Sequence, residues 1–148
     1  MFAFQNPLIT VDSNVLVSAA TISSTPPSQI LDAWREERIE MALSEPILNE
    51  VQDVLCRPYF VNKAGWTKKQ VKTYVNELRM GALVVPGTTK VNICRDPMDN
   101  MVLSCAIEAE SEFVVSGDED LLVLKEYKGI PIKTPRDFIQ EVLTKKNN

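Results

Sequence analysis

"LITVDSN" runs from Leu8 to Asn14. Four residues in succession, Leu8, Ile9, Thr10 and Val11, are apolar or β-branched, and the polar turn formers Asp12, Ser13 and Asn14 stop the run. A stretch this short and this apolar reads as a strand buried on both faces that ends near Asp12. Strands that are apolar throughout belong to sheets covered on both sides, and such sheets are mostly parallel. The pattern recurs along the chain. "IEMALS" (39–44), "ALVVP" (82–86), "FVVSG" (113–117) and "GIPIKT" (129–134) read as four more short strands, making five.

Helical segments separate them. A loop containing "SSTPPS" follows the first strand, and Pro26, Pro27 and Ser28 open a helix through "SQILDAWREER". In "SEPILNEVQDVLCRP", Ser44 can cap, Pro46 sits in the first turn, and Ile47, Leu48, Val51, Val54 and Leu55 form an inward stripe. Pro58 marks the exit of that helix. "TKKQVKTYVNELRMGA" is amphipathic, with Val71, Val75 and Leu78 on one side. A helix starts at Asp96. "DEDLLVLKEY" reads as a short helical turn, and "TPRDFIQEVLTKK" closes the chain as a helix capped by Thr134 with Pro135 at its first position. The alternation implies βαβ units around a mostly parallel sheet. No repeat, low-complexity tract or linker divides the chain, so one domain is expected over 1–148, with its core at about 8–140 and the tail "KKNN" frayed.

Composition narrows the chemistry. The chain has 148 residues, 45% hydrophobic and 24% charged, as in ordinary soluble globular proteins. Cys56, Cys94 and Cys105 form no CxxC pair, and their odd number argues against a disulfide framework, so three reduced thiols are expected, two of them core fillers. "MFAFQNP" lacks the features of a signal peptide, and no apolar stretch approaches the roughly 20 residues that span a bilayer, so a cytoplasmic protein away from membranes is expected. The net charge of -4 does not advertise a nucleic-acid partner, so any such binding must rest on a local patch or a bound metal. Arg57, Lys63, Lys68, Lys69 and Lys72 offer a basic strip, for which a solvated helix face is the preferred reading. There is no histidine. That removes Ser-His-Asp and Cys-His catalysis and the commonest zinc ligand, leaving carboxylates and a metal ion as the tools of a neutral-pH hydrolase.

Four acids lie where plain solvation explains them poorly. Asp12 and Asp118 follow the first and fourth strands at their carboxyl ends, the edge where ligands bind in open α/β sheets. Taken singly, each could equally be a turn residue or a helix cap. In "CRDPMDNMVLSCA", Asp96 caps, Pro97 takes the first helical position, and Asp99 falls at the third. Val102, Leu103 and Ala106 lie three, four and seven positions further, so Asp99 shares the inward face. It is either part of a capping arrangement favoured by the helix dipole or an acid on the rim of a cleft. Glu50 lies roughly 100° from its helix's apolar stripe at 3.6 residues per turn, on the border between core and water, where solvation is the better reading from the wheel alone. Several carboxylates in one cleft must raise their pKa values or bind a cation, and hard oxygen ligands suit Mg²⁺ or Mn²⁺.

"TVDSN", "SEPILNEVQDVL", "DPMDNMVLSCAIEA" and "VVSGDEDLL", in this order and at these separations, resemble the PIN-domain family. Within it the chain is most similar to the group described as toxin components of toxin–antitoxin systems, related to VapC-type toxins; "DPMDN" and the later "YKGIPIKTPRDFI" carry that likeness. The resemblance covers roughly residues 8–140. It implies a three-layer α/β/α sandwich with a central, mostly parallel sheet, here five-stranded. It implies metal-dependent RNA cleavage with Mg²⁺ or Mn²⁺, RNA as substrate, an antitoxin partner and a homodimer. Carried over by motif, the catalytic and metal-binding acids are Asp12, Glu50, Asp99 and Asp118. Asp96 and Asp120 are secondary acids at the edge of the cluster, and Asn14 and Ser116 are the polar residues that orient it. Ser13 departs from the frequent Thr but keeps a hydroxyl.

The rival from another class is a catalytically silent PIN module acting in nucleic-acid binding or assembly. A haloacid-dehalogenase-type phosphatase needs a second Asp where Asn14 stands, and a receiver domain needs an acidic pair and a late lysine that cannot both be placed.

Overall fold

The computed structural model describes residues 6–144. The frayed tail expected at 145–148 lies outside the described residues, as do the first five residues of "MFAFQNP". The five expected strands are present as β1 (Leu8–Val11), β2 (Glu40–Ser44), β3 (Leu83–Val85), β4 (Phe113–Val115) and β6 (Ile130–Lys133). They pair side by side and all in parallel, β3 to β2, β2 to β1, β1 to β4 and β4 to β6.

A sixth strand corrects the five-stranded expectation. β5 (Glu126–Tyr127) pairs antiparallel with the outer edge of β6, giving the order β3-β2-β1-β4-β6-β5. It lies at the end of "DEDLLVLKEY", of which only α7 (Glu119–Leu122) is helical. Lys128 (φ 49°) and Gly129 (φ 85°) are both left-handed, the conformation a two-residue hairpin turn requires, and they fold Tyr127 back onto Ile130.

Two helices also depart from expectation. Residues Ser13–Thr21, where a loop was expected, form α1. Val15, Leu16, Val17 and Ala19 are all buried, so the segment is apolar nearly all round and shows no periodic stripe in sequence. Pro58, expected only as an exit, is also the first residue of α4 (Pro58–Lys63), because proline lacks only an N–H that a helix start leaves unpaired. The other helices begin as their caps dictate. Thr25, Ser44 and Thr67 accept N–H bonds at the starts of α2 (Pro26–Arg35), α3 (Glu45–Leu55) and α5 (Lys68–Gly81). Asp96 caps α6 (Pro97–Ala109), and Thr134 caps α8 (Pro135–Phe138), which runs on into a π-helical turn, Ile139–Leu143.

The layers follow from connectivity. The strand order runs β1 to β2 to β3 in one direction, and with the right-handed crossovers that parallel strands take, these connections put α1–α5 over one face. The chain then returns through α6 to β4 on the other side of β1, which places α6 on the opposite face. Between lies a core of fully buried side chains, among them Ile9, Leu43, Ile47, Leu48, Leu78, Leu103 and Phe138. The reversal of direction between β1 and β4 is a topological switch point, and it opens a crevice at their carboxyl ends.

All three cysteines are free, and of the expected core fillers Cys105 is fully buried, Cys94 half-buried and Cys56 exposed. The basic strip is solvated: Arg57, Lys63, Lys68, Lys69 and Lys72 are exposed. No helix among the described residues is long and apolar enough to cross a membrane.

Candidate metal centre

The β1–β4 register builds the site. Val11 lies opposite Val115, so Asp12 and Ser116 leave the sheet together, with the Asp12 N–H donating to Val115 O at 3.0 Å. Asp12 caps α1 by accepting the Asn14 N–H, and its side chain is 4% exposed. Ser116 is fully buried; its hydroxyl donates to Asp12 Oδ2 at 2.7 Å and accepts the Asp118 N–H at 3.0 Å. One serine thereby ties the first acid to the fourth. Asp118 in turn caps α7, accepting the Asp120 N–H at 2.8 Å. Each acid is held by the start of a helix at the carboxyl edge of a strand, where free N–H groups favour negative charge.

Asp99 arrives from the opposite face. Asp96 accepts the Met98 N–H at 2.9 Å and starts α6, which sets Asp99 in the first turn and only 3% exposed. Its Oδ2 is buried without a hydrogen-bond partner, the only such side-chain oxygen or nitrogen among the described residues. A buried carboxylate oxygen left in this state needs a proton or a cation. Burial, reinforced by Asp118, Asp12 and Asp96, pushes the Asp99 carboxyl up to about 7. Asp12 is raised too, by burial above all and by Asp118, against the lowering effect of its bonds from Ser116 and Asn14. The Cys94 thiol is also raised, by burial and by the surrounding aspartates.

One carboxylate oxygen from each of Asp99, Asp118 and Asp120 lies within 4.8 Å of the others. Two oxygens across one Mg²⁺ or Mn²⁺ are about 4.2 Å apart, so small side-chain rotations close this set around an ion. An all-oxygen, anionic donor set with an unpartnered buried oxygen fits a hard divalent cation.

The expected site residues thus separate. Asp12, Asp99 and Asp118 act on one another directly. Asp120, expected at the edge, stands in the tightest group, whereas Asp12 is one step outside it, joined through Ser116. Asp96 acts on Asp99 while its own side chain caps α6. Asn14 contributes its backbone N–H, and its side chain is exposed. Glu50 is half-buried on α3 and engages in no side-chain hydrogen bond or ion pair with another described residue, in line with its border position on the wheel. Sequence reasoning passed over Arg95, which pairs with Asp120 at 3.0 Å, and Asn100, whose side chain holds the backbone of Ile93 and Cys94. Arg95 carries no spacing or propensity signal that singles it out, and Asn100, although it closes "DPMDN", has a backbone-holding role that only the fold displays.

Fold and site define an α/β protein with a carboxylate centre at the switch point of a mostly parallel sheet. The family profile for the PIN domain matches residues 9–120, and the chain belongs to that family. It is 28% identical to the uncharacterized protein MJ1680 of Methanocaldococcus jannaschii over 141 residues, covering 90% of each chain. Its fold is similar to that of a chain in the crystal structure of VapBC2 from Rickettsia felis bound to a DNA fragment from their promoter. The TM-score is 0.59 at 13% identity, over 86% of this chain and 98% of that one.

Proposed function

We propose that this protein is a metal-dependent endoribonuclease, a single PIN domain that hydrolyses RNA phosphodiester bonds and serves as the toxin of a toxin–antitoxin pair. The observation that carries the reading is the unpartnered, buried Oδ2 of Asp99 amid three more aspartates. Asp12, Asp99 and Asp118 would hold Mg²⁺ or Mn²⁺, directly or through water, with Asp120 beside them and Asp96 at the edge. Glu50, at the border of α3, would bind a metal or position the attacking water. A bound Mg²⁺ or Mn²⁺ supplies an activated water and neutralises the charge that builds on the phosphoryl group. The protein's own part is preorganisation. Ser116 fixes the direction of the Asp12 carboxylate, and the first turns of α1, α6 and α7 hold three acids that would otherwise drive one another apart.

The toxin role rests on family membership and on the fold shared with VapBC2, which was captured on a fragment of its promoter DNA. An antitoxin would accordingly be the protein partner, and a homodimer the assembled form of this chain. The decisive experiment incubates the purified protein with single-stranded RNA in Mn²⁺, in Mg²⁺ and in chelator. Internal cleavage is expected with either metal, absent in chelator, and reduced at least a hundredfold by Asp12→Asn or Asp99→Asn. Cleavage that persists in chelator or survives Asp12→Asn sinks the nuclease reading; binding without cleavage identifies a silent module.

A further inference from the structure

Arg95 is the only cation among the described residues that forms an ion pair with any of the clustered aspartates. A single guanidinium nitrogen lies 3.0 and 3.3 Å from the two oxygens of Asp120. The contrast between its backbone and its side chain is sharp. The Asn100 side chain accepts the Ile93 and Cys94 N–H groups at 3.1 and 2.9 Å and donates to Cys94 O at 3.1 Å, which pins the stretch of chain leading into Arg95 to the first turn of α6. The Arg95 side chain itself is 88% exposed. A guanidinium is thus moored beside the mouth of the acid cluster, its head held there by one solvent-exposed ion pair. An exposed pair of this kind is weak, and Asp120 has an oxygen within 4.8 Å of oxygens of both Asp99 and Asp118. Any cation taken up there competes for the carboxylate that Arg95 holds.

Resting on the nuclease reading above, we propose that Arg95 is a built-in counter-cation of the acid cluster that yields Asp120 to the metal and then contacts a phosphate of the RNA. The chemistry suits the exchange. A planar fork of donors matches a phosphate as well as it matches a carboxylate. A neutralised Asp120 holds the guanidinium less strongly, while an incoming polyanion brings new acceptors to the same mouth. In a chain of net charge -4 this also supplies one local positive charge at the place where the substrate must approach.

Two titrations that involve no turnover test it, on the full chain and on Arg95→Ala and Arg95→Lys, at a position exposed enough for folding to be spared. The first measures Mn²⁺ affinity from the free-ion signal in electron paramagnetic resonance. Removing the competitor in Arg95→Ala is expected to tighten Mn²⁺ binding roughly two- to fivefold. The second measures a short fluorescein-labelled single-stranded oligoribonucleotide in Ca²⁺, checked intact afterwards, over a range of salt. Arg95→Ala is expected to weaken it about tenfold, and to flatten the slope of log K against log salt by about 0.7, the value of one phosphate contact on a single strand. Arg95→Lys keeps the charge without the fork and is expected to keep the slope with part of the affinity. An Arg95→Ala protein with unchanged Mn²⁺ affinity, or with an unchanged salt slope, overturns the proposal, and a wild type that takes up no Mn²⁺ overturns it together with the metal reading. A wild type that binds both probes yet cleaves nothing refutes the nuclease reading alone.

Discussion

Burial and three neighbouring aspartates press on Asp99 in the same direction, and the result is a carboxyl that ionises near pH 7 in place of about 3.9. The sign of its effect on stability follows. Between those two values the folded protein holds a proton that the unfolded chain has released, so the stability of the metal-free protein falls as pH rises from about 4 to about 7. Asp12, raised as well, adds to the same trend. Asp99→Asn removes the charge while keeping the shape. It is expected to raise the melting temperature of the metal-free protein by several degrees at pH 8, by less at pH 5, and hardly at all below about pH 4, where Asp99 carries the proton in the folded and the unfolded chain alike. Thermal melts in chelator across that range check this, and a variant less stable than wild type at pH 8 contradicts a raised Asp99 pKa. The same residue is then stabilising to replace and damaging to activity, the combination expected of an acid kept for a ligand.

At the scale of elements, the site depends on helices starting where strands end, and their starts are locally encoded by Asp12, Asp96 and Asp118. Their packing is less forgiving. Gly81 ends α5 against Trp34 of α2, and a Cβ there would stand 2.6 Å from the indole ring. Trp34 is almost fully buried and cannot swing away freely. Gly81→Ala is therefore expected to destabilise the fold by about 1–3 kcal/mol through overpacking. Urea denaturation followed by tryptophan fluorescence measures it, and cleavage by the folded fraction should be unaffected, since this contact lies among α2 and α5 and touches none of the acids. Wild-type stability in Gly81→Ala would mean that α2 and α5 separate more easily than their burial indicates.

Over the whole molecule, an ion held at the acid centre would tie α6 to the carboxyl ends of β1 and β4, because Asp99 comes from α6 and Asp12 and Asp118 follow those strands. Mn²⁺ should raise the melting temperature by mass action, and by more at pH 8 than at pH 5, since protons occupy Asp99 below about 7. A melting temperature that Mn²⁺ leaves unmoved at pH 8 is incompatible with the centre described. The five parallel strands, the caps at Ser44, Asp96 and Thr134, and the inward face of Asp99 were all legible in sequence, because each is set by a short pattern of apolar and capping residues. The helix Ser13–Thr21 escaped because a segment buried on nearly all sides carries no periodicity, and β5 escaped because a two-residue strand exists only by pairing with its neighbour. The sequence by itself determined which residue types were available, carboxylates without histidine, and the ends of the elements that carry them. Only the tertiary structure decided that β1 and β4 are neighbours, that Ser116 joins Asp12 to Asp118, that Asp120 belongs to the tightest group, and that Arg95 faces it. These are meetings of residues as far as 104 positions apart; strand order and crossover hand create them, and no local pattern encodes either.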